Sequence, residues 1–302
     1  MAGGVPVISI VTPTHNRANL LRRAMASVRA QTWRDFEWIV VDDGSTDETM
    51  QVLDACDDLR LVRVRLEPNR GVAGARNAGI QRARGEYVAF LDDDDEYVPH
   101  YLQSVVEMLR SDLHDVVWTG VERVLEHHDG AAQIVRQIWD CEAASRGALT
   151  HLTALNMSCG VCARRESLLR VGAFDEELKV SEDTDLLLRL AAAGCVFGCV
   201  PRALIRVHVH LAPSLSRSSR YAVMAACNAR LVEKNRLFLE DHPELWMHFH
   251  DMLAGDYYRA RERGSARDVI RRMLRRAPLR AKTWEKWLRF ELLKRNVAAG
   301  PR

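Results

Sequence analysis

No stretch of this 302-residue chain reaches the roughly 18 consecutive apolar residues that a bilayer-spanning helix needs. The longest candidate, around Leu190 to Val200, is short and stops at Pro201. The first residues, MAGGVPVISIV, lack the basic start of a secretory signal. The glycine-rich dinucleotide fingerprint GxGxxG is missing, and no Ser–His–Asp arrangement follows from the spacing. Basic residues do not interleave with aromatics, which argues against a nucleic-acid partner. These absences point to a cytoplasmic protein. The cysteine count is odd, at seven, and fits a reducing compartment better than a disulfide framework. Cys159 and Cys162 form a CxxC and Cys195 and Cys199 a CxxxC, so a four-thiolate zinc site is conceivable. Both runs also read as buried strands in which cysteine serves as a small apolar residue.

Charge is unevenly distributed. Residues 259–302 hold 15 Lys+Arg and 4 Asp+Glu, a balance of +11, so with +2 overall the remainder carries −9. An acidic front and a basic tail imply separate tasks. The tail is either a solvated helical face or a surface for anionic lipid head groups. Its Trp-rich amphipathic pattern would also suit a homodimer.

Along the chain, short β-rich runs alternate with helical stripes. VISIVT, EWIVVDD, LRLVRVRL, EYVAFL and DVVWTGV read as strands, and ANLLRRAMASVRAQT, STDETMQVLDAC, GVAGARNAGIQRARG and PHYLQSVVEMLRS as helices. Ser45 or Thr46 would cap the second helix. This alternation predicts an α/β fold, a Rossmann-like, mostly parallel sheet with helices on both faces. The predicted division is 1–218 for that domain, with halves of about 1–121 and 122–218, and 219–302 for a basic helical extension. The stretch from Glu122 to Asn156 reads as irregular, and Trp139 in it is either a sugar-stacking face or a core residue.

In such sheets ligands bind beyond the carboxyl ends of the strands. PTHNR, DDGSTD and DDDDEY follow the first, second and fourth strands and fall on that one edge. Four adjacent carboxylates, Asp92 to Asp95, repel one another unless a cation meets them. A hard divalent ion, Mn²⁺ or Mg²⁺, shared with substrate phosphates is the natural partner, and the alternative is an acidic surface loop.

ISIVTPTHNR, VDDGSTDET, NRGVAGARNAGIQRARGEYVAFLDDDDEY and SEDTDLLLRL occur in that order over about residues 5–218. Together they resemble glycosyltransferase family 2, inverting nucleotide-sugar transferases of GT-A fold. The resemblance implies that Thr12 and Pro13 line the base pocket, that Asp43 bonds the base and that Asp42 supports it. It places Arg76 and Asn77 near the nucleotide, with Arg76 alternatively a structural partner for Asp42. Gly71, Gly74 and Gly79 are read as allowing close helix packing. Asp92 and Asp93 would face the nucleotide, and Asp94 would hold the metal with His208. Asp93 departs from the small residue usual between the outer acids. Asp183 is the implied base, with Glu182 beside it; both could instead simply favour a helix N-terminus. His15 and the remaining histidines read as surface or packing residues. The QxxRW motif of processive synthases is missing, which favours one sugar per encounter. The implied donor is a UDP-sugar and the acceptor a glycan or lipid-linked glycan in surface polysaccharide assembly, with the tail at the inner membrane face. Two other classes compete: a non-catalytic nucleotide- or glycan-binding relative, and a sugar nucleotidyltransferase, for which PTHNRANL lacks the glycine-rich basic loop.

Overall fold

The computed structural model describes residues 4–126, 132–137, 159–209 and 217–288. The chain divides into two compact units, Met1–Ala212 and Pro213–Arg302.

The described residues of the first unit hold nine strands: β1 (Ile8–Thr14), β2 (Phe36–Asp42), β3 (Leu61–Arg65), β4 (Tyr87–Phe90), β5 (Glu96–Tyr97), β6 (Val116–Glu126), β7 (Ala132–Gln137), β8 (Cys162–Arg164) and β9 (Phe197–Val209). Among its described residues six helices accompany them: α1 (Ala18–Arg29), α2 (Thr49–Asp54), α3 (Gly71–Arg82), α4 (Tyr101–Leu109), α5 (Arg165–Arg170) and α6 (Glu182–Ala192). The sheet order is β3-β2-β1-β4-β8-β6-β9-β5, with β7 on β6. β1 and β2 are buried along their whole length, which is why apolar residues crowd both of their faces, and the polar interruptions Ser9 and Glu37 bond each other at 2.6 Å. Ile8, Ile10, Trp38 and Val40 meet α1, α2 and α4 on one face. Val11, Ile39 and Val41 meet α3, α5 and α6 on the other.

The sheet is less parallel than the alternation predicts. β1, β2, β3 and β4 run parallel, as do β6 and β9. β4–β8, β6–β8, β6–β7 and β5–β9 are antiparallel. A parallel neighbour needs a crossover of a dozen or more residues. Only five residues separate β6 from β7, so the chain folds straight back. Residues 122–126 and 132–137 are thus extended strand, not irregular. Trp139 and residues 138–158 lie outside the described residues.

Two glycines fix local geometry. A Cβ on Gly79 would sit 2.4 Å from Val11 Cγ1, so α3 can lie on β1 only with glycine there. Gly71 has φ +77°, the left-handed region, and turns the chain into α3.

The second unit is helical: α7 (Arg217–Lys234), α8 (Arg236–Asp241), α9 (Pro243–Arg259) and α10 (Arg263–Arg276), with residues 281–288 also helical. Ala266, Val269, Ile270 and Met273 form the buried stripe of α10, at helical spacing. None of the described helices is long and apolar enough to cross a membrane.

Candidate functional site

The strand order reverses between β1 and β4, and a cleft of about 380 Å³ opens beyond their carboxyl ends. Pro13, Thr14, His15 and Arg17 line it from the loop after β1, Asp43 from the loop after β2, and Asp92, Asp93 and Asp94 from the loop after β4. Val72, Ala75 and Arg76 of α3 complete it.

The loops after β1 and β2 are stitched together. Asp43 N–H donates to Thr14 O at 2.9 Å and Asn16 N–H to Ser45 Oγ at 2.9 Å, while Thr46 and Asp47 N–H reach Asn16 Oδ1. Ser45 and Thr46 thus serve this turn, and neither caps α2. Asp43 is buried and accepts from Arg70 N–H at 2.8 Å and Gly71 N–H at 2.7 Å, so it caps α3 across 28 residues of sequence. Asp42 is wholly buried and accepts from Ser45 N–H at 3.0 Å; it shapes the turn that carries Asp43 but does not line the cleft.

Arg76 is the hinge of the electrostatics. It is 4% exposed and donates to Asp92 at 2.7 Å and to Glu182 at 2.8 Å. Burial alone would lower its pKa, but Asp92 and Glu182 outweigh burial and hold it above its ordinary value. The alternative pairing of Arg76 with Asp42 is not found: the cation nearest Asp42 is Arg65, at 3.9 Å. Asp183 sits beside Glu182 in the first turn of α6, where Ser181 takes a left-handed φ of +62°. Burial and the Glu182 charge push the Asp183 carboxyl up to about 6, against the pull of Arg76 and of Thr184 N–H. Glu182 and Asp183 are linked to the cleft through Arg76.

Three expected residues lie elsewhere. Thr12 points into the core, where its hydroxyl accepts from the Trp38 indole at 3.0 Å. Asn77 turns away from the cleft and bonds Phe174 N–H and C=O, each at 2.9 Å. His208 does not line the cleft; its Nε2 meets Glu96 at 2.7 Å and its N–H donates to Asp95 at 3.0 Å. Conversely, His15 and Arg17 line the cleft. His15 is held at Nε2 by Asn16 and at Nδ1 by Asn69, and one Arg17 nitrogen bridges Asp93 at 3.0 Å and Asp94 at 2.9 Å. Their position just after the first strand was the available signal.

The acidic loop fits a cation. Asp93 Oδ2 is buried without a hydrogen-bond partner. Burial, resisted by Arg17, raises Asp93 to about 6, and burial with the Asp92 and Asp94 charges raises Asp95 to about 8. Asp92 and Asp94 face the cleft and could hold a metal there. Asp92, Asp95 and Cys159 also bring ligand atoms within 4.8 Å of one another, though burial keeps the Cys159 thiol protonated. The zinc alternative fails, because Cys159 and Cys162 lie on one face of the sheet and Cys195 and Cys199 on the other. Cys199 is disulfide-bonded, unlike the reduced cysteines expected, whereas the other described cysteines are free.

The model of the family described as "Glycosyl transferase family 2" matches residues 9–172, more than half of the chain. The chain belongs to glycosyl transferase family 2. Among curated relatives, an uncharacterized glycosyltransferase of Nostoc is 35% identical over 206 residues, 64% of this chain and 58% of its own length. The putative teichuronic acid biosynthesis glycosyltransferase TuaG of Bacillus subtilis is 39% identical over 111 residues, 36% of this chain and 44% of its own. The chain spans 58–65% of the length of the first three relatives it matches. Two solved structures share the fold. The mannosyltransferase PcManGT of Pyrobaculum calidifontis, in complex with GDP-Man and Mn²⁺, has a TM-score of 0.61 at 19% identity, over 96% of this chain and 81% of that one. TarS of S. aureus, residues 1–349 with UDP-GlcNAc, has a TM-score of 0.60 at 22% identity, over 83% and 72%. The family 2 chain thus has the GT-A fold, with a mixed sheet and a helical C-terminal region.

Proposed function

We propose that this family 2 chain is a metal-dependent, inverting glycosyltransferase that moves one sugar from a nucleotide-diphosphate donor to an acceptor hydroxyl. The observation that carries the reading is one cleft that brings Pro13 and Asp43 together with the acidic, cation-seeking Asp92–Asp94. Asp43 lines that cleft, and a carboxylate accepting from a ring N–H makes a charge-assisted bond that selects the base. A UDP-sugar, with uracil presenting such an N–H, is the donor we favour. Asp94 and Asp92 would hold Mn²⁺ or Mg²⁺, which would supply charge neutralisation at the leaving diphosphate.

The chain's own groups do the rest. Arg17, half exposed at the cleft, adds positive charge where the diphosphate would lie. Asp183, with its carboxyl raised to about 6, is ionised at neutral pH yet more basic than an ordinary aspartate. It would take the proton from the acceptor hydroxyl as the oxygen attacks the anomeric carbon and the bond to the diphosphate breaks. A single displacement of this kind inverts the anomeric centre. The resemblance to TuaG supports an acceptor in surface polysaccharide assembly.

Calorimetric titration of UDP, GDP and TDP, each with Mn²⁺ and with EDTA, tests the donor site. One nucleotide bound tightly and only with metal is expected; equally weak binding with and without metal would overturn the reading. For the second unit we propose contact with the anionic inner face of a membrane. Leu279, Trp284 and Leu288 stand exposed among Arg275, Arg280 and Lys282, the mixture interfacial helices present. Flotation with phosphatidylglycerol vesicles but not phosphatidylcholine vesicles is the expected result, and flotation with neither would refute it.

A further inference from the structure

Asn77 is adjacent in sequence to Arg76, yet a step of one residue on a helix rotates the side chain by about 100°. Arg76 therefore faces the acidic loop while Asn77 faces the turn that follows α5. That turn is unusual. Gly172 has φ +82° and Ala173 φ +53°. The second value is left-handed backbone that an L-residue avoids, and it persists only where the surroundings over-determine it.

The surroundings are two clamps. Asn77 Nδ2 donates to Phe174 O at 2.9 Å, and Phe174 N–H donates back to Asn77 Oδ1 at 2.9 Å. From the other side, the Arg189 guanidinium donates to Val171 O and Ala173 O, both at 2.6 Å. Arg189 is itself fixed by Asp185 at 2.8 Å, one turn earlier on α6. What the clamps present is the Phe174 ring. It is buried, lies edge-on to Phe90 at 5.3 Å, and has the Arg76 guanidinium 5.4 Å from its centroid. Phe90 ends the strand that leads into the acidic loop. Arg76 Nε is buried with no acceptor. Its Nη1 bond to Glu182 and Nη2 bond to Asp92 fix the guanidinium in this orientation, with the Phe174 ring beside it.

We propose that Asn77 and Arg189 are positioning residues which, by clamping the Val171–Phe174 turn, hold Arg76 between Asp92 of the acidic loop and Glu182 beside Asp183. The inference deepens the functional reading above, in which Asp183 is the base. The charged and polar groups set against Asp183 are Glu182, Arg76, and the N–H and hydroxyl of Thr184. Loosening the turn lets Arg76 withdraw, and the Asp183 carboxylate loses its nearby cation.

The test is the titration midpoint of Asp183 in the full chain, read by carbon NMR on protein labelled at aspartate Cγ and assigned with Asp183→Asn. Asn77→Ala and Arg189→Lys should each raise the midpoint by about half a unit or more, since an opposite charge at close range is worth about one to three. Phe174→Leu, which keeps the apolar volume and loses the ring, should do the same. Midpoints unchanged in variants that still melt cooperatively would overturn the proposal. So would loss of cooperative melting in all three, because the turn would then determine the fold rather than position a side chain. The readout needs no turnover. A wild type that transfers no sugar while the midpoints shift as expected would sink the catalytic reading of Asp183 and leave the clamp standing.

Discussion

Replacing Arg76 with methionine separates its charge from its bulk. The guanidinium holds Asp92 at 2.7 Å and Glu182 at 2.8 Å. With charge centres about 4 Å apart and an effective dielectric near 20, each pair attracts by roughly 4 kcal/mol, and desolvating the guanidinium cancels much of that. Removing one partner of a buried pair still costs about 3–5 kcal/mol, because the carboxylates remain without a counter-charge. The Asp92 side chain is 30% exposed and water screens it, which places the loss at the lower end, about 3 kcal/mol. Methionine keeps the contact with Phe174, so little of the loss is packing. For a unit of about this size, 3 kcal/mol corresponds to roughly 6–12 °C in Tm. The assay is thermal unfolding of the ligand-free chain at pH 8, followed by circular dichroism. A variant melting within about 1 °C of wild type would refute the claim that Arg76 neutralises these acids.

Three further outcomes are expected. The kcat/KM profile should fall on the acid side with a midpoint near 6, since Asp183 must be ionised to accept a proton and its raised carboxyl is protonated below that pH; a flat profile from pH 5 to 8 would exclude it as the base. Asp183→Asn should abolish transfer while leaving nucleotide affinity within about twofold, as calorimetry would show, and retained turnover would remove its role. Gly79→Ala should lower Tm by several degrees, because the added methyl meets Val11 in a full core and overpacking costs about 1–3 kcal/mol; an unchanged melt would mean that α3 does not need to lie so close.

Much of the site was legible because buried parallel strands write themselves as short runs dense in apolar residues, so their ends can be located. Once the ends of β1, β2 and β4 are placed, the polar clusters after them must share an edge. What the motifs obscured was parity. Thr12 is two residues from Ile10 and four from Ile8, so it shares their core-facing side and meets Trp38 there. Asn77 could not reach the acidic loop beside Arg76, because one step along a helix turns its side chain by about 100°. Arg17 and His15 were hidden because nothing local predicts how far a loop side chain reaches across a cleft. The antiparallel half was hidden because strand direction depends on connections rather than on the strands' own residues.

The cap on α3 has a consequence for the choice of donor. Gly71, whose N–H is held by Asp43, and Arg76 are five residues apart on one helix, which is about 7.5 Å along its axis. The two ends of the cleft are therefore spaced by a rigid ruler rather than by loops that could adjust. On the reading proposed for Asp43, a nucleoside diphosphate, with base and phosphates separated by one ribose, would answer both marks on such a ruler at once. A lipid-linked phosphosugar has no group for the first mark, and it would leave the Asp43 end to water.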